Sequence, residues 1–447
     1  MCSGPITARC RGKTRLPTAI PAHPVRDIME GMRERSLLTH PFETIREAAP
    51  HITFVALIVF FSMYSRLLLS PLLVFIQQDL VIGPALATRL FLTSSVSYSS
   101  VMLLSGFFTA RMLHRRTIAL ASALIGLGLV IMALAPNLPA MHIGVAVIGS
   151  GSGLYPPAGV ASVTAIVRDE IRGKAVAIHE FGPNLAFVLA PLFVSLGIIL
   201  GSWRLIPAVS GALALTAAVL FDRYALAGGF TGERPHMKNL RLILRKPEFW
   251  ALTVFFTMGA ASTLGIFSIL PTFLVTARGY PVQLVNTVIS FSRIGGLVMV
   301  FLAGIMVDRI GVPRLVTILI GVTAVLTIGI GVLRGTPMLV AVFLQPLVIV
   351  AFFPAAVSAI ADLGPPTVRN VAVSIMIPTV NLLAGGVFPS LMGYLTERGA
   401  VEAGFVGLGI VMLASLLLAR FLKSGRSTPP EREKSPSLHQ RDTDSPS

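Results

Sequence analysis

The chain has 447 residues, of which 54% are apolar and 13% charged. Soluble domains carry roughly 25% charged residues, and a water-soluble core this apolar would leave large hydrophobic areas exposed, so a soluble enzyme is disfavoured and a polytopic membrane protein is expected. The net charge of +16 then reads as a topology signal and an attraction to anionic lipid headgroups, not as a nucleic-acid footprint.

Residues 1–50 are basic and rich in Pro and Arg, without the apolar core of a secretory signal, and read as a cytoplasmic tail. The only two cysteines, Cys2 and Cys10, lie there, in a spacing that is not a metal-ligand pattern; no metal or cofactor is expected. Twelve apolar segments of bilayer-spanning length follow, at 52–76, 86–108, 115–135, 141–166, 175–200, 204–226, 249–275, 284–306, 313–333, 338–362, 371–395 and 403–423. Backbone groups in lipid must be satisfied within their own segment, and segments of this length favour helices over barrel strands.

The first span holds Arg66 and then Ser70-Pro71. The second carries a run of hydroxyls from Thr93 to Ser100, which suits close helix packing. The fourth contains Gly149, Gly151, Gly153 and Pro156-Pro157; it lacks the lysine of a phosphate-binding loop, so close contact and a kink are expected. The fifth opens with His179-Glu180, but no second histidine completes a zinc-protease motif. Between Asp222 and Glu248 the chain is polar and basic, and residues 227–248 read as a linker between two halves, 51–226 and 249–423. Beyond them, residues 424–447 have the composition of a disordered tail.

The halves match one another. Arg172 with Ala175-Val176 and Asn184-Leu185 recurs, 197 residues on, as Arg369 with Ala372-Val373 and Asn381-Leu382. With the N-terminus inside, the short cytoplasmic loops hold fifteen bases against four outside, so both termini are expected in the cytoplasm of a cell-membrane protein.

The loop after the eighth span reads Gly304-x-x-x-Asp308-Arg309-x-Gly311-x-x-Arg314. It resembles the signature loop of the major facilitator superfamily, G-x-x-x-D-R-x-G-x-x-R. That resemblance implies an all-α membrane protein with twelve transmembrane helices in two pseudo-symmetric six-helix bundles. It also implies a secondary transporter without enzymatic activity, in which Gly304, Asp308, Arg309, Gly311 and Arg314 form a gating loop. The matching loop of the first half has Ala110 where the family has its acid and Leu113 in place of a glycine.

Ionisable groups inside spans are functional candidates because burying them in lipid is expensive. At 1.5 Å per residue, Arg66 lies ~21 Å from the inner end of its helix and Arg293 ~14 Å from the outer end of its own. The two are expected at similar depth, where a pair of guanidiniums would bind a small organic anion bidentately. An arginine in the eighth span also resembles facilitator-type carriers of small organic anions. Asn184, Asn381 and Gln345 offer neutral hydrogen bonds to the same substrate, and His179 with Glu180 is a candidate for proton coupling. The competing readings are a proton-coupled drug exporter, whose usual fifth-helix motif is reduced here to Pro191, and a non-transporting sensor or assembly factor. Partners are thus a small solute, protons and lipid, with the chain acting as a monomer.

Overall fold

A computed structural model describes residues 42–232, 240–360, 363 and 366–422; Cys2, Cys10, most of the N-terminal tail, part of the linker and the C-terminal tail lie outside the described residues. Among the described residues the chain is helical throughout, with only two isolated β-bridges, Phe42–Val167 and Leu113–Thr231. Among the described residues ten helices are long and apolar enough to cross a membrane: α1 Ile45–Leu80, α2 Pro84–Thr109, α3 His114–Leu134, α5 Arg172–Ile199, α6 Leu205–Tyr224, α7 Pro247–Ala277, α9 Val312–Val332, α10 Gly335–Ile360, α11 Val371–Glu397 and α12 Val401–Phe421. The glycine-rich α4, Leu138–Ala165, and α8, Val282–Ile310, bring the long helices to the expected twelve.

Local chemistry sets their ends and breaks. Asn137 caps α4, its side chain accepting from the Ala140 N–H. Gly311 closes α8 at φ +83°, a conformation that only glycine adopts freely, and this turns the chain directly into α9. In α1 the helix breaks at Leu68, between Ile45–Leu67 and Leu69–Leu80, where Pro71 lacks the N–H that would bond the carbonyl four residues back.

The first six helices pack through α3–α4, α2–α4, α3–α6 and α1–α5, and the last six through α9–α12, α9–α10 and α8–α10. Glycines let α4 approach its neighbours: a Cβ on Gly151 would lie 2.6 Å from the Ala121 carbonyl oxygen, and Gly149 and Gly153 press against the carbonyls of Ser94 and Tyr98. The hydroxyl run of α2 serves packing as well, with Thr93 Oγ1 2.8 Å from His142 Nδ1 and Ser99 donating to the Pro378 carbonyl at 2.8 Å.

The halves meet along α2–α11, α5–α8 and α1–α7. Most hydrogen bonds between them gather towards the side away from the linker. Ala85 N–H donates to Glu397 at 3.1 Å, Ser390 to the Thr88 carbonyl at 3.3 Å, and Ser70 to the Phe267 carbonyl at 2.6 Å. Asn286 donates to Ser195 at 2.9 Å and Ser290 to the Val188 carbonyl at 3.0 Å. The halves are therefore joined on the face opposite the linker.

Candidate functional site

Below that closure lies a cavity of about 120 Å³, lined by Arg66, Tyr98, Tyr155, His179 and Glu180 among others. Arg66 stands with its guanidinium carbon 4.2 Å from the centre of the Tyr98 ring, a cation–π placement. Its Nη2 donates to the Asn381 side-chain oxygen, so this bond joins the two halves. Arg66 Nε and Asn381 Nδ2 are buried without an acceptor, and among the described residues no carboxylate pairs with Arg66.

Beside Arg66 runs a chain of polar groups. The Tyr155 hydroxyl is 3.1 Å from the Val55 carbonyl of α1 and 2.7 Å from His179 Nε2; His179 Nδ1 is 3.0 Å from Glu180 Oε1. Tyr155 and His179 are buried, while the Glu180 side chain is 54% exposed. Gly159, one turn beyond, leaves room for the Tyr155 ring, because a Cβ there would lie 2.6 Å from Tyr155 Cε1. Arg172, a base near Glu180 in sequence, pairs with Asp169 instead.

Arg293 does not share the cavity. It is 8% exposed and lies between Phe187 of α5 at 4.3 Å and Phe267 of α7 at 5.5 Å, its Nη2 donating to the Thr263 carbonyl at 3.2 Å. That carbonyl belongs to a π-turn, Ala261–Gly265, whose wider winding leaves backbone groups for side chains to satisfy. Gln345 does the same on the next carbonyl back, donating to Ser262 at 2.9 Å. Arg293 is thus placed apart from Arg66, and the expectation of two guanidiniums around one cavity is not met in this conformation. The physical reason is the aromatic pair that encloses it. Asn184 donates to the Glu180 carbonyl of its own helix at 2.8 Å, whereas its repeat partner Asn381 reaches across to Arg66.

In the loop, Gly311 makes the turn and Arg309 and Arg314 are exposed. Gly304 and Asp308 fall in the last turns of α8, and the surroundings of both lie outside the described residues. Sequence reasoning missed Tyr98 and Tyr155 as cavity groups. Each is one tyrosine inside a run of small residues that reads as packing, and only the fold aims them at Arg66 and His179. Among the described residues no cluster of three His, Cys, Asp or Glu is present to hold a metal.

No curated protein matches the sequence significantly. Solved structures are similar in fold. A bacterial homologue of the human lysosomal transporter Spinster, inward-facing and occupied, has a TM-score of 0.65 at 16% identity, covering 85% of this chain and 97% of that one. A peptide transporter POT in complex with sulfate has a TM-score of 0.71 at 16% identity, covering 88% and 99%. The nucleoside transporter NupG has a TM-score of 0.69 at 14% identity, covering 83% and 99%. The model of the Major Facilitator Superfamily matches residues 55–350 and 282–444, and with twelve long helices, paired halves and the signature loop at Gly304–Arg314, the chain belongs to that superfamily of multi-pass membrane transporters.

Proposed function

We propose that this secondary transporter carries a small organic anion by alternating access, with Arg66 and Asn381 as its primary ligands and with proton coupling through Tyr155, His179 and Glu180. The observation that carries this reading is the pair of unsatisfied donors, Arg66 Nε and Asn381 Nδ2, on opposite halves of the chain. Buried donors lacking an acceptor are costly. A carboxylate oxygen between them would satisfy both and hold the halves together, which supplies the differential affinity that a conformational cycle requires. The cavity has room for a small organic acid of a few heavy atoms in this conformation. Arg293, Gln345 and Asn184 serve this reading as supporting polar groups, Arg293 meeting the anion only after the α5–α8 contact rearranges.

The proton step follows from counting hydrogens. Tyr155 has one hydroxyl hydrogen and two acceptors within reach. With that hydrogen on the Val55 carbonyl, His179 Nε2 must donate to Tyr155, and the Nδ1–Glu180 bond needs a further proton. With it on His179 Nε2, Nδ1–H donates to an ionised Glu180 and the Val55 carbonyl loses its side-chain partner. One proton separates the two patterns. Val55 and Arg66 are eleven residues, about three turns, apart on one face of α1, so the helix that binds the anion also senses the proton.

In this reading both termini and the 227–248 linker are cytoplasmic in the cell membrane, halves 51–226 and 249–423 rock about the site, and the chain works as a monomer. The loop Gly304, Asp308, Arg309, Gly311 and Arg314 gates the cytoplasmic side.

The test is ligand binding to folded wild type and Arg66→Gln, using small carboxylates and lipophilic cations. Losing one partner of a desolvated charge pair costs roughly 2–5 kcal/mol, so Arg66→Gln should weaken carboxylate binding at least ~30-fold, and Arg66→Lys should rescue it poorly because a point charge does not reproduce the planar fork. Equal binding of cations to both proteins, with no carboxylate bound by either, would replace the anion reading with the exporter reading.

A further inference from the structure

On the opposite flank of α5 from His179 and Glu180 runs a second concavity, a groove of about 720 Å³ between α1, α5 and α6. Its volume is in the range of ligand sites, six times that of the central cavity. Thr53, Leu57 and Phe60 of α1, Phe181 and Leu185 of α5 and Leu213 of α6 line it. The polar group at its end away from the linker is a hydroxyl pair, Ser210 donating to Tyr64 at 3.2 Å. From this geometry we propose that the groove holds an acyl chain of an anionic phospholipid drawn from the leaflet on the linker side.

Two features select this occupant. The first is length. On α1 the groove runs from Thr53 to Tyr64, eleven residues or about 16 Å, which matches the ~15 Å of hydrocarbon in one leaflet of a ~30 Å core. The second is charge. The lining positions of α1 continue towards the linker side in steps of three and four residues through Pro50 to Arg46, and those of α5 through Ile178 to Lys174. Both cations are exposed at the end of the groove where a headgroup would lie, and among the described residues neither pairs with a carboxylate. An acyl chain in the groove thus places its phosphate within reach of two bases, and it packs along the helix that carries Glu180 on its other side.

The experiment uses purified full-length protein in detergent, titrated with phosphatidylglycerol or phosphatidylcholine, with unfolding followed by the fluorescence of Trp203 and Trp250. Phosphatidylglycerol should raise the unfolding midpoint saturably and beyond phosphatidylcholine. Arg46→Gln with Lys174→Gln should weaken its apparent affinity by about fivefold per cation removed, while Arg111→Gln with Arg116→Gln, on the same side but off the groove, should leave it unchanged. Leu213→Trp fills the groove from an exposed position and should abolish the phosphatidylglycerol effect in a protein that still unfolds cooperatively. Equal stabilisation by the two lipids, an undiminished effect in Leu213→Trp, or equal weakening in the off-groove pair would each overturn the proposal.

Discussion

At the scale of single residues, the arrangement around His179 separates proton handling from solute binding. The Tyr155 hydroxyl bonds His179 and the backbone of α1, not Arg66, so removing it should disturb the coupling before the ligand site. Tyr155→Phe leaves His179 with its Glu180 bond and deprives Nε2 of its partner. We expect Tyr155→Phe to keep carboxylate affinity within about threefold of wild type, since an interhelical hydrogen bond in a membrane averages about 0.6 kcal/mol, while flattening its pH dependence. Glu180→Gln should abolish pH-driven accumulation yet retain solute exchange in proteoliposomes. Accumulation by Glu180→Gln at the wild-type level would remove the pair from the mechanism and leave a uniporter or an anion exchanger.

At the scale of elements, α8 presents Asn286, Ser290 and Arg293 to α5 in steps of four and three residues, one face of one helix. These contacts, with Ser70 on the Phe267 carbonyl, close the side away from the linker. Interhelical hydrogen bonds in membranes average about 0.6 kcal/mol, so Asn286→Ala and Ser290→Ala together should shift the equilibrium towards the state open on that side by about sevenfold. The natural cysteines, Cys2 and Cys10, are both in the N-terminal tail. With them replaced, a single cysteine at Val188 reports this opening by its rate of thiol labelling from that side. An unchanged rate in the double variant would mean that these bonds do not hold the closure.

At the scale of the whole molecule, the internal repeat predicts the seam. A shift of about 197 residues carries α2 onto α8 and α5 onto α11, so the contact α2–α11 and the contact α5–α8 are images of one another. What departs from the symmetry is the chemistry. The repeat partner of Arg66 is Thr263, whose carbonyl receives Arg293 from the next helix, so each half contributes its cation from a different element. The proposed topology is checked by reporter fusions after Lys246 and after Arg334, which should read cytoplasmic and external respectively. The reverse pattern would overturn the orientation.

Apolar segment length determined the helical nature and approximate extent of the spans, because the bilayer imposes one length and one way of satisfying the backbone. The expected spans agree with the observed helices within a few residues at most ends; α1 departs furthest, beginning at Ile45, seven residues before the expected start. The signature loop likewise pointed to the superfamily from local chemistry, since an acid, two bases and a glycine turn seldom fall together between two apolar helices. Direction around a helix was not legible: Arg66 lines the cavity, whereas Arg293 is enclosed by Phe187 and Phe267. Helical phase relative to a partner in the other half is set by packing between segments some 80 to 315 residues apart, and no local pattern encodes it. The same limit hid Tyr155 among glycines and let Asn184 and Asn381, equal in the repeat, take different partners. Which side chains meet was decided by tertiary structure, through the close approach that small residues permit and the carbonyls that π-turns leave open.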